Sequence, residues 1–158
     1  MEKPLMLLPF VHGIDTTALA CALDFAREED VTLLLVSLIH LPEASSRRGI
    51  RLEAIAQAYD FFEVMAYKAV RAGVTIKCVQ LSTRHIARSI QMLAQEMLCA
   101  GILLFVRDAR GVLVETEDVW RLLEQVGRPV YLFNLTSHKD RVFLAGTILE
   151  KGLRHFLK

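Results

Sequence analysis

Gly101-Ile102-Leu103-Leu104-Phe105-Val106, followed by Arg107-Asp108-Ala109-Arg110-Gly111, is the stretch on which the reading of this chain turns. An unbroken apolar run that stops at a polar, glycine-ended segment marks a strand buried on both faces, as in a parallel sheet. Such a strand needs helices on both sides of its sheet. The neighbouring sequence supplies them. Upstream, Ser82 or Thr83 can cap a helix running to about Ala100, with Ile86, Ile90, Leu93 and Met97 facing inward. Downstream, a helix is expected from about Thr116 to Val126, closed by Gly127, and then a fifth strand from Pro129 to Leu135.

The same alternation extends to the N-terminus. Leu5 to Val11 reads as the first strand, and it is too short for a signal-peptide core with a cleavage site. His12-Gly13-Ile14 turns the chain. Asp15 or Thr16 caps a helix to about Glu29, with Leu19, Ala22, Leu23 and Ala26 on one face. Val31 to Leu41 is the second strand, ended by Pro42. After a polar loop, a second helix is expected from about Ile50 to Ala72, with Leu52, Ile55, Tyr59, Phe62, Ala66 and Ala69 inward and Gly73 at its C-cap. Val74 to Leu81 alternates, which places the third strand at a sheet edge.

Five strand–helix alternations imply a parallel sheet with right-handed crossovers. The fold class is therefore α/β, a three-layer α/β/α sandwich. Residues 1–135 form the domain, and residues 136–158 form a C-terminal extension expected to be helical, with Val142, Leu149, Leu153 and Phe156 as its apolar stripe. The segment from Lys139 to Lys158 holds five basic and two acidic residues; its charges are expected to be solvated rather than bound to a membrane surface.

Composition narrows the function classes. The chain has 158 residues, 53% of them apolar, and a net charge of +1. One domain of this length can bury a core without staples. The near-neutral charge argues against an electrostatic grip on nucleic acid, and no apolar run reaches the ~18 residues of a membrane span. Cys21, Cys78 and Cys99 share no short spacing, so neither a zinc site nor a redox pair is indicated. Each lies in an apolar stretch and reads as a buried small hydrophobe. Reduced thiols fit the cytoplasm.

Four stretches, in this order, resemble the universal stress protein family. Leu8-Pro9-Phe10-Val11-His12-Gly13 resembles its opening strand, and the helix Ala18 to Ala26 its Ala- and Leu-rich first helix. Cys99 to Phe105 is similar to the segment leading into its fourth strand, and Val126 to Phe133 to its closing strand. The resemblance covers residues 4 to 135. It implies a Rossmann-like, adenine nucleotide alpha hydrolase-like sheet of five parallel strands in the order 3-2-1-4-5, and commonly a homodimer through the fifth strand. Such a sheet has a ligand crevice where the connections of the first and fourth strands leave in opposite directions. His12 and Gly13 fall on one side of it, and Arg107, Asp108, Arg110 and Gly111 on the other.

ATP-binding members of that family carry Gly-x2-Gly-x9-Gly-Ser/Thr after the fourth strand. Glycines there let backbone N–H groups curl around phosphate at a helix N-terminus. Here the corresponding stretch keeps only Gly111, and no Gly-Ser or Gly-Thr precedes the fourth helix. Glu115, Glu117 and Asp118 crowd its first turn, where carboxylates complement the helix dipole and repel phosphate. His12 stands where the family's binders usually have Asp. Arg107 and Arg110 could grip an anion directly, but the plainer expectation pairs them with Asp108 or Glu115. For His12 that expectation is a hydrogen-bonded loop residue. No nucleophile or substrate clamp accompanies it, and no acidic cluster at the first strand suggests a phosphorelay.

The expected function is that of a non-catalytic, dimeric stress-response interaction module in the cytoplasm. Its pairing would use the fifth strand and the extension, with no metal and no favoured cofactor. The alternative is a binding module for ATP, AMP or another small anion, using the arginines. A nucleotide hydrolase ranks third, since fold analogy alone does not establish chemistry.

Overall fold

The computed structural model describes residues 2–41 and 48–136. The loop expected at 42–49 and the extension expected beyond Thr136 therefore lie largely outside the described residues.

Ten elements follow in chain order: β1 (Leu5–Phe10), α1 (Thr16–Glu29), β2 (Thr32–His40), α2 (Arg48–Ala72), β3 (Ile76–Thr83), α3 (Ile86–Glu96), β4 (Gly101–Arg107), β5 (Arg110–Val112), α4 (Thr116–Glu124) and β6 (Val130–Asn134). Five strands pair in parallel in the order β3-β2-β1-β4-β6, the expected order with β6 as the fifth strand of the sequence reading. Among the described residues β3 and β6 are the edges, as the alternation in the third strand implied.

The sixth strand was not expected. The sequence reading made 107–111 a loop; instead β4 folds back into β5 as an antiparallel hairpin, with Arg107 opposite Arg110. The two residues between them, Asp108 (φ 51) and Ala109 (φ 62), are both left-handed. Two left-handed residues closing a two-residue loop make a type I′ turn, whose twist matches that of the flanking strands. This turn normally announces itself as Asn-Gly or Asp-Gly, and Asp-Ala hides it.

The register shows where the hairpin lies. Ile102 pairs with both Leu7 of β1 and Val130 of β6, so β1 and β6 flank opposite sides of β4. Phe105 pairs with both Phe133 of β6 and Val112 of β5, so β5 takes the side of β4 that faces β1. β1 and β4 pair only at Met6–Gly101 and Leu7–Ile102. Beyond that point they diverge, and β5 fills the opening. The N–H groups of Val11 and His12 donate to the Leu113 carbonyl at 2.8 and 3.3 Å, which ties the end of β1 to the end of the hairpin.

Residues alternate along each strand between two cores. Met6, Leu8, Phe10, Leu33, Leu35, Leu103 and Phe105 face α1 and α2, where they meet Leu19, Phe25, Phe61 and Met65. Phe10 stacks on Phe61 with ring centroids 4.3 Å apart. Leu7, Leu34, Val36, Ile102, Leu104 and Val106 face α3 and α4, where they meet Ile86, Ile90, Val119 and Leu122. These are the three layers.

Helix ends follow local chemistry. Asp15 caps α1 as expected, its Oδ1 accepting from Ala18 N at 3.0 Å. Gly73 takes a left-handed φ of 70° after α2, and Val74 N donates to the Ala69 carbonyl, a Schellman-type stop. At α3 the expected cap is replaced: β3 runs on through Thr83, and His85 takes the N-cap position without a side-chain bond. Thr83 Oγ1 instead accepts from His85 N at 3.0 Å just ahead of the helix. α4 stops at Glu124, short of Gly127.

Two inward faces also differ from expectation. α2 buries Ala58, Phe61, Met65 and Ala69, whereas Leu52 and Tyr59 are each 64% exposed. α3 buries Ile86 and Ile90 as expected but adds Ala87, Gln91 and Ala94, and leaves Met97 outside. Both helices carry apolar residues on more than one face, so periodicity alone does not choose the buried one. Cys21 and Cys99 are buried, but Cys78 is exposed, because it lies on edge strand β3.

The turn gives a test. A left-handed non-glycine residue costs ~1–2 kcal/mol, and glycine returns ~0.5–1 of that in unfolded-state entropy. Ala109→Gly should therefore stabilise the fold by about 0.5–1 kcal/mol in urea denaturation. A destabilised variant would contradict the turn assignment.

Candidate functional site

The residues singled out from sequence gather at the carboxyl ends of β1 and β4, but they are bonded to one another differently from the expectation. Arg107, the last residue of β4, reaches Asp15, the α1 cap. Its Nη1 lies 2.5 Å from Oδ2 and its Nη2 3.2 Å from Oδ1. This is a two-pronged, charge-assisted pair. The Arg107 hydrogen bond, helped by the amides of Ala18 and Thr17 and opposed by partial burial, holds the Asp15 carboxyl below the usual range. The same bond raises the Arg107 pKa. Thus one carboxylate both starts α1 and anchors β4, and Arg107 pairs with neither Asp108 nor Glu115.

Glu115 belongs to His12. The His12 Nε2 lies 2.5 Å from Glu115 Oε1. Glu115 occupies the N-cap of α4 yet makes no side-chain cap bond, its carboxylate being turned to the histidine instead. His12 is thus the hydrogen-bonded loop residue that was expected, and Gly13 beside it has a left-handed φ of 75°. Asp108 N donates to Thr136 Oγ1 at 2.7 Å. Arg110 is exposed, and among the described residues it makes no ion pair.

Gly111 carries the closest packing in the region. Its N–H donates to Thr116 Oγ1 at 2.9 Å. A Cβ on Gly111 would lie 2.3 Å from the Val114 carbonyl oxygen and 2.9 Å from Thr116 N. Hairpin backbone therefore lies directly against the start of α4, where a phosphate would need open amides.

A cleft of about 420 Å³ remains beside the hairpin. Val11 and His12 come from the end of β1, His40 from the end of β2, Arg84 and Ile86 from the start of α3, and Glu115, Glu117, Asp118 and Arg121 from α4. Asp118 is only 7% exposed. Burial pushes its carboxyl pKa up, and Glu115 and Glu117 add to that; Arg121 and His40 act in the opposite sense. Arg121 stands 3.8 Å from both Asp118 and Glu117. Among the described residues, no group of three His, Cys, Asp or Glu side chains is placed to hold a metal.

Sequence reasoning missed His40 and Arg84, which carry no motif, and the pairing of Asp15 with Arg107 across 92 positions. Asp118 was noticed only as a dipole partner. Its position on the inward side of α4, beside Val119 and Leu122, was the available signal.

No family model matches the chain, and no curated protein matches it in sequence. Its structure does match solved ones. A protein of the universal stress protein family from Burkholderia pseudomallei superposes with a TM-score of 0.62 at 18% identity, over 83% of this chain and 96% of that one. The universal stress protein from Archaeoglobus fulgidus in complex with dAMP gives 0.63 at 14% identity, over 84% and 98%. A universal stress protein from Lactobacillus plantarum gives 0.62 at 15% identity, over 84% and 98%. The chain has the universal stress protein fold. No helix among its described residues is long and apolar enough to cross a membrane.

Two measurements check the site. The raised Asp118 pKa means that the fold disfavours its ionised form. Any stability tied to this group is complete below the unfolded carboxyl pKa and is lost as pH rises through the folded one. Asp118→Asn should therefore raise the melting temperature at pH ~7 and leave it unchanged near pH ~3; a lower value at neutral pH would contradict the sign. Asp15→Ala removes a cap and an ion pair together and should cost about 2 kcal/mol. Arg107→Ala, which leaves the cap, should cost less. Equal losses would mean that the cap contributes nothing.

Proposed function

We propose that this chain is a non-catalytic domain that works as a dimeric interaction module in stress signalling, its nucleotide crevice closed by its own hairpin. The observation that carries this reading is the position of β5 between the diverging ends of β1 and β4, where an open sheet of this kind has its ligand crevice. Three features support it. The glycine motif is absent, the first turn of α4 is acidic, and Arg107 is engaged by Asp15. The pairing would use β6, an edge strand among the described residues whose outer backbone groups invite another strand, together with residues 136–158. Three free cysteines fit a reducing, cytoplasmic setting.

The second reading is a binding module for an adenine nucleotide or another small anion. It draws on the Archaeoglobus fulgidus protein, which was solved with dAMP, and on Arg110, which has no ion-pair partner among the described residues. Arg107 is the weak point of that reading, because gripping an anion would require breaking its bond to Asp15.

Isothermal calorimetry with Mg-ATP and with AMP separates the two. We expect no saturable heat; micromolar affinity for either nucleotide would overturn the first reading. Light scattering after size exclusion should give a dimer mass, and a monomer at tens of micromolar would remove the pairing from the proposal.

A further inference from the structure

We propose that residues 137–158 dock on their own domain, laying the apolar stripe Val142, Leu149, Leu153 and Phe156 along the flank of α1 that faces β6, with Phe156 in a groove at the amino end of the sheet. This goes beyond the reading above and holds whether or not the chain pairs. It names the surface that the segment occupies, and it leaves the segment's outer face beside the β6 edge.

The surface follows from the topology. Right-handed crossovers put α1 and α2 on one face of the sheet, toward β2 and β3, and α3 and α4 on the other, toward β4 and β6. On the first face, α1 is the described helix nearest β6. Phe25 makes the contact, its ring centroid 5.7 Å from those of both Tyr131 and Phe133. Toward the amino end of the sheet, Met6, Phe25, Val31 and Tyr131 line a groove of about 400 Å³, with the exposed Glu29 beside them.

Length and charge select the occupant. β6 ends at Asn134, at the carboxyl end of the sheet, whereas the groove lies at the amino end. The seven residues of β4 span about 23 Å at ~3.3 Å per residue. A helix from Val142 to Phe156 would cover about 21 Å at ~1.5 Å per residue, so a segment turned back at 135–141 brings Phe156 level with the groove. At helical spacing Val142, Leu149, Leu153 and Phe156 share one face. Around Phe25, the carboxylates of Asp24, Glu28 and Glu29 stand against one guanidinium, Arg27, three negative charges to one positive. Residues 139–158 carry five basic and two acidic side chains, a charge of +3. The two surfaces attract, and the covalent tether gives the segment an advantage that no free partner has.

Disulfide trapping in the full-length chain tests the docking. Cys78→Ser first removes the exposed thiol. Glu29→Cys then places a thiol beside the groove, and Lys158→Cys another just beyond Phe156. Mild oxidation should join these two within one chain about tenfold faster than Lys158→Cys combined with Glu53→Cys on the exposed surface of α2. Adding Leu153→Glu and Phe156→Glu should remove that advantage. In the chain without added cysteines, the same two glutamate substitutions should shift the amide NMR signals of Met6, Val31 and Ala100 and leave those of Arg84 and Arg121 in place. A bond formed between two chains would assign the groove to a second copy's segment and overturn the proposal. So would equal rates for the two cysteine pairings, a rate unchanged by the glutamate substitutions, or unshifted amides at the groove. Light scattering on the same samples reads the mass of the assembly, so a failure of pairing and a failure of docking are told apart.

Discussion

β1 and β4 share a sheet but pair over only two positions, Met6–Gly101 and Leu7–Ile102. Past those, each strand would present unpaired backbone groups to a gap, and buried backbone polar groups must find partners. The chain meets this demand by turning back on itself. β5 satisfies the exposed side of β4, and the Leu113 carbonyl accepts from Val11 and His12 at the end of β1. The rest of the carboxyl end is arranged around that repair: the left-handed turn at Asp108-Ala109, the tight fit of Gly111 against α4, and the placing of Arg107 at Asp15.

The ion pairs of the fold are not equivalent. Lys3–Asp30 and Arg27–Asp24 are exposed, and pairs of that kind contribute little in water. Arg107–Asp15 is partly buried, two-pronged and joined to a helix cap, so it links α1 to the sheet. Asp118 differs: its side chain is 11% exposed, and among the described residues its ion-pair partner, Arg121, stands at 3.8 Å. One carboxylate thus holds the scaffold together, while the other faces the cleft.

Much of the architecture was legible in the sequence, because strands buried on both faces leave unbroken apolar runs. Leu5–Phe10, Thr32–His40 and Gly101–Arg107 could be located from composition alone. What escaped had a physical reason each time. The hairpin was hidden because its turn uses Asp-Ala where glycine is usual. The buried face of α2 was misassigned because Leu52 and Tyr59 compete in hydrophobicity with Ala58, Phe61 and Met65, and only packing against β1 and β2 decides between them. The partner of Arg107 was out of reach because Asp15 lies 92 positions earlier, and pairing across such a distance depends on strand order, not spacing. His12, Gly13, Arg107, Asp108, Arg110 and Gly111 could be assigned to strand ends, but not their bonds, and of the six only His12 lines the cleft beside the hairpin.

The hairpin also differs from the rest of the sheet in how it can form. Every parallel pairing joins segments separated by a helix or more, so each must close a long loop before any contact rewards it. β4 and β5 are joined by two residues. Hairpins of this kind close in ~1–10 μs, far faster than mixed α/β domains assemble. During folding, the element that fills the space between β1 and β4 is therefore expected to take shape before β1 has docked beside it. The first strand then docks against a wall that is already in place.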